Sequence, residues 1–297
     1  MPRGGEVVLE STPNGAGGCF YEEWQKAEEK GYTRHFLPWW WEDSYRTSPG
    51  AESFSEEEEQ LVAEHGLTPE QIGFRRELRL NFGKLARQEF AENAATCFLA
   101  SGECVFEVEQ IEQRIAELRG PVERRENGRI EIYYPPVRGR EYVIGVDPAG
   151  GGSEGDYAAA EVMDRASGLQ CAELRGHYTP VELATRVEQL GHEYNNAMIA
   201  VERNNHGFAV IVTLEQNEYC NLYRQGGQTG WLTTTASRPR MIERFAAGVR
   251  REPEKFESRR LLEECKTFVR KEDGTASAAN GSHDDLVMAM GVACGVL

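Results

Sequence analysis

Val143-Ile144-Gly145-Val146-Asp147-Pro148-Ala149 is an apolar run that ends on a carboxylate and breaks at a proline. A short continuous apolar run bounded by a turn signal reads as a buried strand, so Tyr142 to Val146 is predicted to be a strand with Asp147 at its end. The pattern recurs downstream. Ala197 to Val201 is apolar, ends at Glu202, and continues as Arg203-Asn204-Asn205-His206-Gly207. A third acidic position follows Gly281-Ser282-His283, where Asp284 and Asp285 open an apolar helix carrying Leu286, Val287, Met288 and Met290.

Carboxylates beside a core are costly unless they pair or bind metal. Each one alone also has a plain structural reading. An Asp after a strand is a common turn or cap residue, and His-Asp-Asp at a helix start can be a cap with dipole-matched charge. The three together say more. If the strands of Asp147 and Glu202 are neighbours, both carboxylates leave the same sheet edge. A helix start bearing Asp284 and Asp285 can close over them. Hard oxygen donors with no His or Cys required favour Mg2+ or Mn2+ over zinc. Two such ions roughly 4 Å apart suit in-line phosphoryl displacement without a protein nucleophile.

Outward from this stretch, Tyr157 to Met163 and Leu169 to Leu174 read as strands joined by a hairpin turn over residues 164–168. Thr179-Pro180-Val181-Glu182 is a helix start with a capping box. Gly207 to Gln216 is a helix and Tyr219 to Tyr223 a short strand. Two basic helices are expected near 239–248 and 258–268, and a closing helix from about His283. The order β-β-β-α-β-α-β, then helices, predicts an α/β sheet flanked by helices.

Upstream, residues 1–119 read as the end of a separate, smaller α/β segment. Strands are expected at Val7 to Glu10 and Thr33 to Trp41, and helices over Tyr21 to Glu29, from Ser55, from Thr68-Pro69, and over Val105 to Leu118. Gly120-Pro121 breaks the chain, so 120–138 is expected to be a linker and 139–297 the main domain.

The 297-residue chain has a net charge of −16, which argues against holding nucleic acid by bulk charge. Its distribution is uneven: Arg238 to Lys271 holds eleven Lys/Arg against six Asp/Glu. That stretch is either a phosphate-facing surface or a solvated helix face, and Arg238, Arg240 and Arg244 are its candidate DNA contacts. The seven cysteines form no CxxC pair, so reduced thiols are expected rather than a disulfide frame or zinc site. No apolar run reaches the roughly 20 residues a membrane helix needs, and the N-terminus lacks a signal core, so a cytoplasmic protein without membrane association is expected.

The segments around Asp147, Glu202 and Asp284-Asp285 together resemble the three nuclease motifs of phage large terminase subunits. Gly230-Trp231 and Ser258 through Phe268 are similar to a later segment of that family. The resemblance implies an RNase H-like mixed sheet, an antiparallel meander plus parallel strands flanked by helices. It implies endonuclease cutting of double-stranded concatemeric DNA during packaging. By the same resemblance Asp147 is the ligand shared by two metal ions, Glu202 and Asp285 complete the site, and Asp284 assists. The small terminase subunit and the portal or procapsid are the implied partners, in the cytoplasm of an infected bacterial host. Leu9-Glu10-Ser11-Thr12-Pro13-Asn14-Gly15 resembles the coupling motif at the end of a terminase ATPase core, and residues 87–92 with Phe98 resemble that domain's exit.

The sequence departs from the family upstream, where it has no GxxxxGK[ST] loop to cradle ATP phosphates. No ATPase activity is therefore expected of it, as a piece of a longer protein or a shortened reading frame. Asp156, His206 and His283 are accessory candidates; for Asp156 a turn is the favoured reading, and helix capping is the alternative for His206. Two alternatives to a terminase nuclease remain. One is another RNase H-like phosphodiesterase of junction-resolvase or transposase type. The other is a non-catalytic module docking DNA or capsid components.

Overall fold

The computed structural model describes residues 7–13, 18–51, 53–83, 86–94, 97–98, 103–150, 157–271, 274–279 and 282–297. The chain divides into two compact units, Met1–Glu103 with Ala279–Gly281, and Cys104–Ala278 with Ser282–Leu297. No helix among the described residues is long and apolar enough to cross a membrane.

The first unit holds α1 (Gly18–Gln25), α2 (Glu56–His65), α3 (Pro69–Phe82) and α4 (Ala86–Glu89). Ser55 with Glu58 and Thr68 with Gln71 both close full capping boxes, and Pro69 opens α3, so four orphan amides find acceptors from sequence-local side chains. Arg75, 2% exposed, pins the helices by pairing with Glu57 and Glu92 at 2.6 Å. The strands expected at Val7 to Glu10 and Thr33 to Trp41 do not form; Trp39–Trp41 is instead a 3-10 turn. Val8 is exposed, so the first segment has no buried face for strand pairing to reward; in the second, Leu37 is exposed while Pro38 and Trp39 are buried where the chain turns. The two-residue strand β1 (Glu103–Cys104) ends this part of the sequence.

The second unit begins with α5 (Val108–Glu117), whose Ile111 and Ile115 are buried among residues of this unit. Its sheet is built from β2 (Glu123–Arg125), β3 (Ile130–Ile132), β4 (Tyr142–Asp147), β5 (Ala158–Asp164), β6 (Gln170–Gly176) and β7 (Met198–Val201). The strand order is β2-β3-β6-β5-β4-β7. All pairs are antiparallel except β4 with β7, which is parallel. This is the mixed, helix-flanked sheet, an antiparallel meander with one parallel pair, that the motifs implied. The chain order and that single parallel pair follow from α6 (Pro180–Glu193), which carries the chain back to start β7 beside β4.

Two boundaries differ from expectation. Helix α5 belongs to the second unit rather than to the segment before it, because its apolar stripe packs there. The expected linker carries β2 and β3, two strands of the main sheet. The edge strand β2 exposes its polar side chains, so no apolar alternation marked it. Ile130 and Ile132 of β3 do alternate, and both are buried.

Side chains alternate across the sheet, so each strand feeds two cores. Tyr142, Ile144 and Val146 pack with α6 and with α7 (Gly207–Gln216) on one face. Val143, Ala159 and Met163 pack on the other. That second face is covered by α8 (Ser237–Arg251), α9 (Arg259–Lys266) and α10 (Asp285–Val296). Two small hairpins complete the unit: β8 (Arg224–Gln225) with β9 (Gln228–Thr229), and β10 (Phe268–Arg270) with β11 (Ala276–Ala278).

Gly145 sets how closely α10 can lie. A Cβ there would collide with the backbone of Ala289 and Ala293. Only glycine lets the helix rest directly on β4. Residues 143, 145 and 147 share this face, so Asp147 points to the side on which α10 begins.

Candidate active site

Asp147 ends β4 and Glu202 follows β7, and the parallel register makes them neighbours. Val146 pairs with Val201, and the Glu202 amide donates to the Val146 carbonyl at 2.9 Å. The chain then turns sharply: the Gly207 amide donates to the Asn204 carbonyl at 2.9 Å, and a Cβ at Gly207 would collide with the Glu202 carbonyl. That turn leaves Glu202 buried at the mouth of the sheet, 8% exposed. Asn204 fixes its direction, donating through Nδ2 to Oε1 of Glu202 at 3.3 Å and to the Thr233 carbonyl at 2.9 Å.

Asp284 and Asp285 arrive at the start of α10, on the face that Gly145 keeps open. Asp285 is buried, in the first helical turn. Asp284 is the N-cap residue by position, yet its side chain makes no capping bond. It turns aside instead: its Oδ2 accepts from the Ala278 amide at 3.3 Å and lies 3.4 Å from Nη2 of Arg238.

All four carboxylates line one open cleft of about 1600 Å³, together with His206, Asn204 and Thr233. Among the described residues no three His, Cys, Asp or Glu side chains are already grouped so as to hold a metal ion. The acids share a cleft rather than a finished cage. Their electrostatics are nonetheless joined. Burial holds the Asp147 carboxyl well above its ordinary value, reinforced by the charge of Glu202, a hydrogen bond with it, and the charges of Asp285 and Asp284. Carboxylates that raise one another in this way are stabilised by a cation placed between them.

The other sequence candidates fall as follows. His206 lines the cleft beside Gly150 and makes no side-chain cap for α7. His283 is exposed, with Nδ1 3.6 Å from Oδ2 of Asp285, and its ring packs edge-on against Tyr157 at 5.0 Å. Asp156, Gly281 and the loop 151–155 lie outside the described residues. Arg240 and Arg244 stand exposed on the cleft wall, and Arg251 and Arg270, two more cations of the basic stretch, line it too. Positions 240, 244 and 251 recur at helical spacing, so α8 turns one cationic face to the cleft. Arg238 is half-buried and committed to the Ala276 carbonyl, at 3.2 Å, and to Asp284.

Sequence reasoning passed over Glu264. Its carboxylate is 7% exposed, and its Oε2 accepts from the Leu286 amide at 2.8 Å and the Val287 amide at 3.4 Å, in the first turn of α10. The signal was present: Glu264 falls three residues after buried Leu261 and beside buried Cys265, on the apolar face of α9.

Comparison with known proteins bears on the fold. The family model described as the terminase RNaseH-like domain matches residues 144–294. The large terminase nuclease from thermophilic phage G20c with bound cobalt is 21% identical, with a TM-score of 0.51, over 66% of this chain and 97% of that one. The magnesium-bound form of the same nuclease is 21% identical, with a TM-score of 0.49, over 62% and 95%. The Thermus phage P74-26 large terminase nuclease domain is 21% identical, with a TM-score of 0.47, over 62% and 93%. At such identities the likeness is one of fold. No curated protein matches the chain.

Proposed function

Because the chain belongs to the terminase RNaseH-like domain family, we propose that it is a divalent-metal-dependent endodeoxyribonuclease that cuts double-stranded, concatemeric phage DNA during genome packaging. The single observation that carries the reading is the meeting of Asp147, Glu202, Asp284 and Asp285 in one cleft, from three distant parts of the sequence.

The donor set fits a hard cation. It offers carboxylate oxygens and no cysteine, which suits Mg2+ or Mn2+. Asp147, Glu202, Asp284 and Asp285 would hold two ions. When bound, these supply positive charge to the attacking and leaving oxygens of an in-line phosphodiester displacement. The remaining work falls to the protein. Asn204 holds the Glu202 carboxylate toward the cleft. Arg238 holds Asp284. Arg240 and Arg244 offer charge to the DNA backbone, which positions a duplex without reading its sequence. His206, at the cleft, and His283, beside Asp285, would contact the scissile phosphate or orient a water.

By the same reading the first unit is the tail of an ATPase domain. The partners are duplex DNA, the small terminase subunit and the portal or procapsid, in the infected cell.

Plasmid nicking in Mn2+ against EDTA tests the proposal. The wild-type chain is expected to nick and linearise plasmid only with the metal, and Asp147→Ala to do neither. Equal cutting by both proteins would remove the assigned site, and exclusive cutting of four-way junctions would favour a resolvase.

A further inference from the structure

Helix α10 presents a capping problem that its own sequence does not solve. The first amides of a helix need acceptors, and the residue at the N-cap, Asp284, is of the type that normally supplies one. Here Asp284 makes no capping bond, because its carboxylate is drawn to Arg238 and the Ala278 amide. The acceptor comes from another helix. Glu264 of α9, 22 residues earlier than Leu286, takes the Leu286 and Val287 amides on Oε2. Its second oxygen, Oε1, stands 3.3 Å from Nη2 of Arg175 on β6, an ion-pair distance without hydrogen-bond geometry. The chain of contacts therefore runs from the sheet through Arg175 and Glu264 to the turn that carries Asp285.

We infer that Glu264 is a positioning residue for the carboxylate site: it caps α10 from outside, so that Asp284 can face the cleft and Asp285 is held at a fixed point of the helix start. The inference rests on the metal-site reading given above. Buried charge around Glu264 does not undermine it. Burial first, with the charges of Asp285 and Glu173 adding to it, holds the carboxyl up at about 8 against the pull of Arg175 and the Leu286 amide. Either protonation state leaves a lone pair on Oε2 for the amides, so the cap does not depend on the charge.

Three variants of the full chain test it, each read by amide hydrogen exchange at Leu286 and Val287 and by Mn2+ affinity in calorimetry. Glu264→Ala is expected to expose both amides and to weaken Mn2+ binding about ten-fold, as loss of a ligand's supporting partner does. Glu264→Gln keeps an acceptor oxygen at the same reach and is expected to hold protection and keep affinity within about three-fold. Leu262→Ala loosens the same helix without touching a polar group of α10 and is expected to leave both readouts near wild type. Wild-type protection and affinity in Glu264→Ala, or the same losses in Leu262→Ala, would overturn the inference. Should Glu264→Ala not fold, Glu264→Asp, which withdraws the oxygen by one methylene, replaces it against Glu264→Gln. Losses in Asp but not Gln support the cap, and equal behaviour overturns it. If the wild-type chain binds no Mn2+, the metal-site reading falls while the amide readout still decides the cap.

Discussion

The second unit carries two groups of carboxylates on the same face of the same sheet, one open to solvent and one enclosed. One is the cleft group of Asp147, Glu202, Asp284 and Asp285. The other is closed: Glu161 and Glu173 sit opposite each other on β5 and β6, both fully buried. The closed group is provided with internal partners. Gln170 Nε2 donates to Glu161 at 2.8 Å, and Arg260 Nε donates to Glu173 at 2.6 Å while its Nη1 reaches the Gly128 carbonyl at 2.7 Å. The cleft group has Asn204 on Glu202 and Arg238 on Asp284, and it opens to solvent beside a cationic helix face. Buried acids that the protein neutralises itself are architecture. Acids that crowd one another at an opening are suited to a ligand of opposite charge.

The sharpest break of that comparison is removal of one member from each group. Asp147→Ala is expected to reduce Mn2+-dependent plasmid cutting to background while the thermal midpoint stays at or above wild type, since a crowded carboxylate is removed. An active variant would contradict this. Arg260→Met should do the reverse. It strands the buried Glu173 and is expected to cost about 3 kcal/mol in a denaturant titration, within the range for breaking a buried pair. Mn2+ affinity of the folded fraction should stay unchanged. A silent Arg260→Met would mean that the closed group is not held by its arginine.

A smaller effect concerns pH. Burial, and then the neighbouring Glu173 charge, hold Glu161 well above the ordinary glutamate value of 4.5. The unfolded chain releases this proton near 4.5 and the folded chain only at higher pH, so stability falls as pH rises above that value, until the folded group also ionises. Glu161→Gln removes the titration. Its thermal midpoint should fall less than that of wild type as pH rises above about 4.5, and a parallel fall would locate the linkage elsewhere. The smallest change is expected at the cleft wall. Arg240→Ala with Arg244→Ala should lower the salt dependence of duplex binding by a slope of about 2, roughly one for each arginine that no longer meets a phosphate. Binding should weaken alike for all sequences, and an unchanged slope would take both arginines off the DNA path.

Much of the cleft group was legible because it depends on local patterns. Apolar runs ending in Asp147 and Glu202 mark strand ends, and an apolar helix opening on Asp284 and Asp285 marks the third element. Gly207 to Gln216 is a helix as read, and the capping box at Thr179 is present. The closed group was not legible. Glu161 and Glu173 lie among apolar residues, and only the pairing of β5 with β6 and the docking of α9 reveal what they meet. Glu264 escaped for the same reason, since a cap donated by a different helix leaves no trace at the helix it caps. Arg238 looked like a DNA contact from charge alone, but its place beside Asp284 depends on tertiary structure. Strand β2 was hidden by its polar composition, and the exposed Val7 to Glu10 mimicked a strand without a partner.

Crystals soaked in Mn2+ and measured at an anomalous wavelength test the central claim most directly. The account predicts anomalous peaks between Asp147, Glu202, Asp284 and Asp285, and none beside Glu161 and Glu173. Peaks only at the closed pair, or no ion in the cleft at saturating Mn2+, would contradict it.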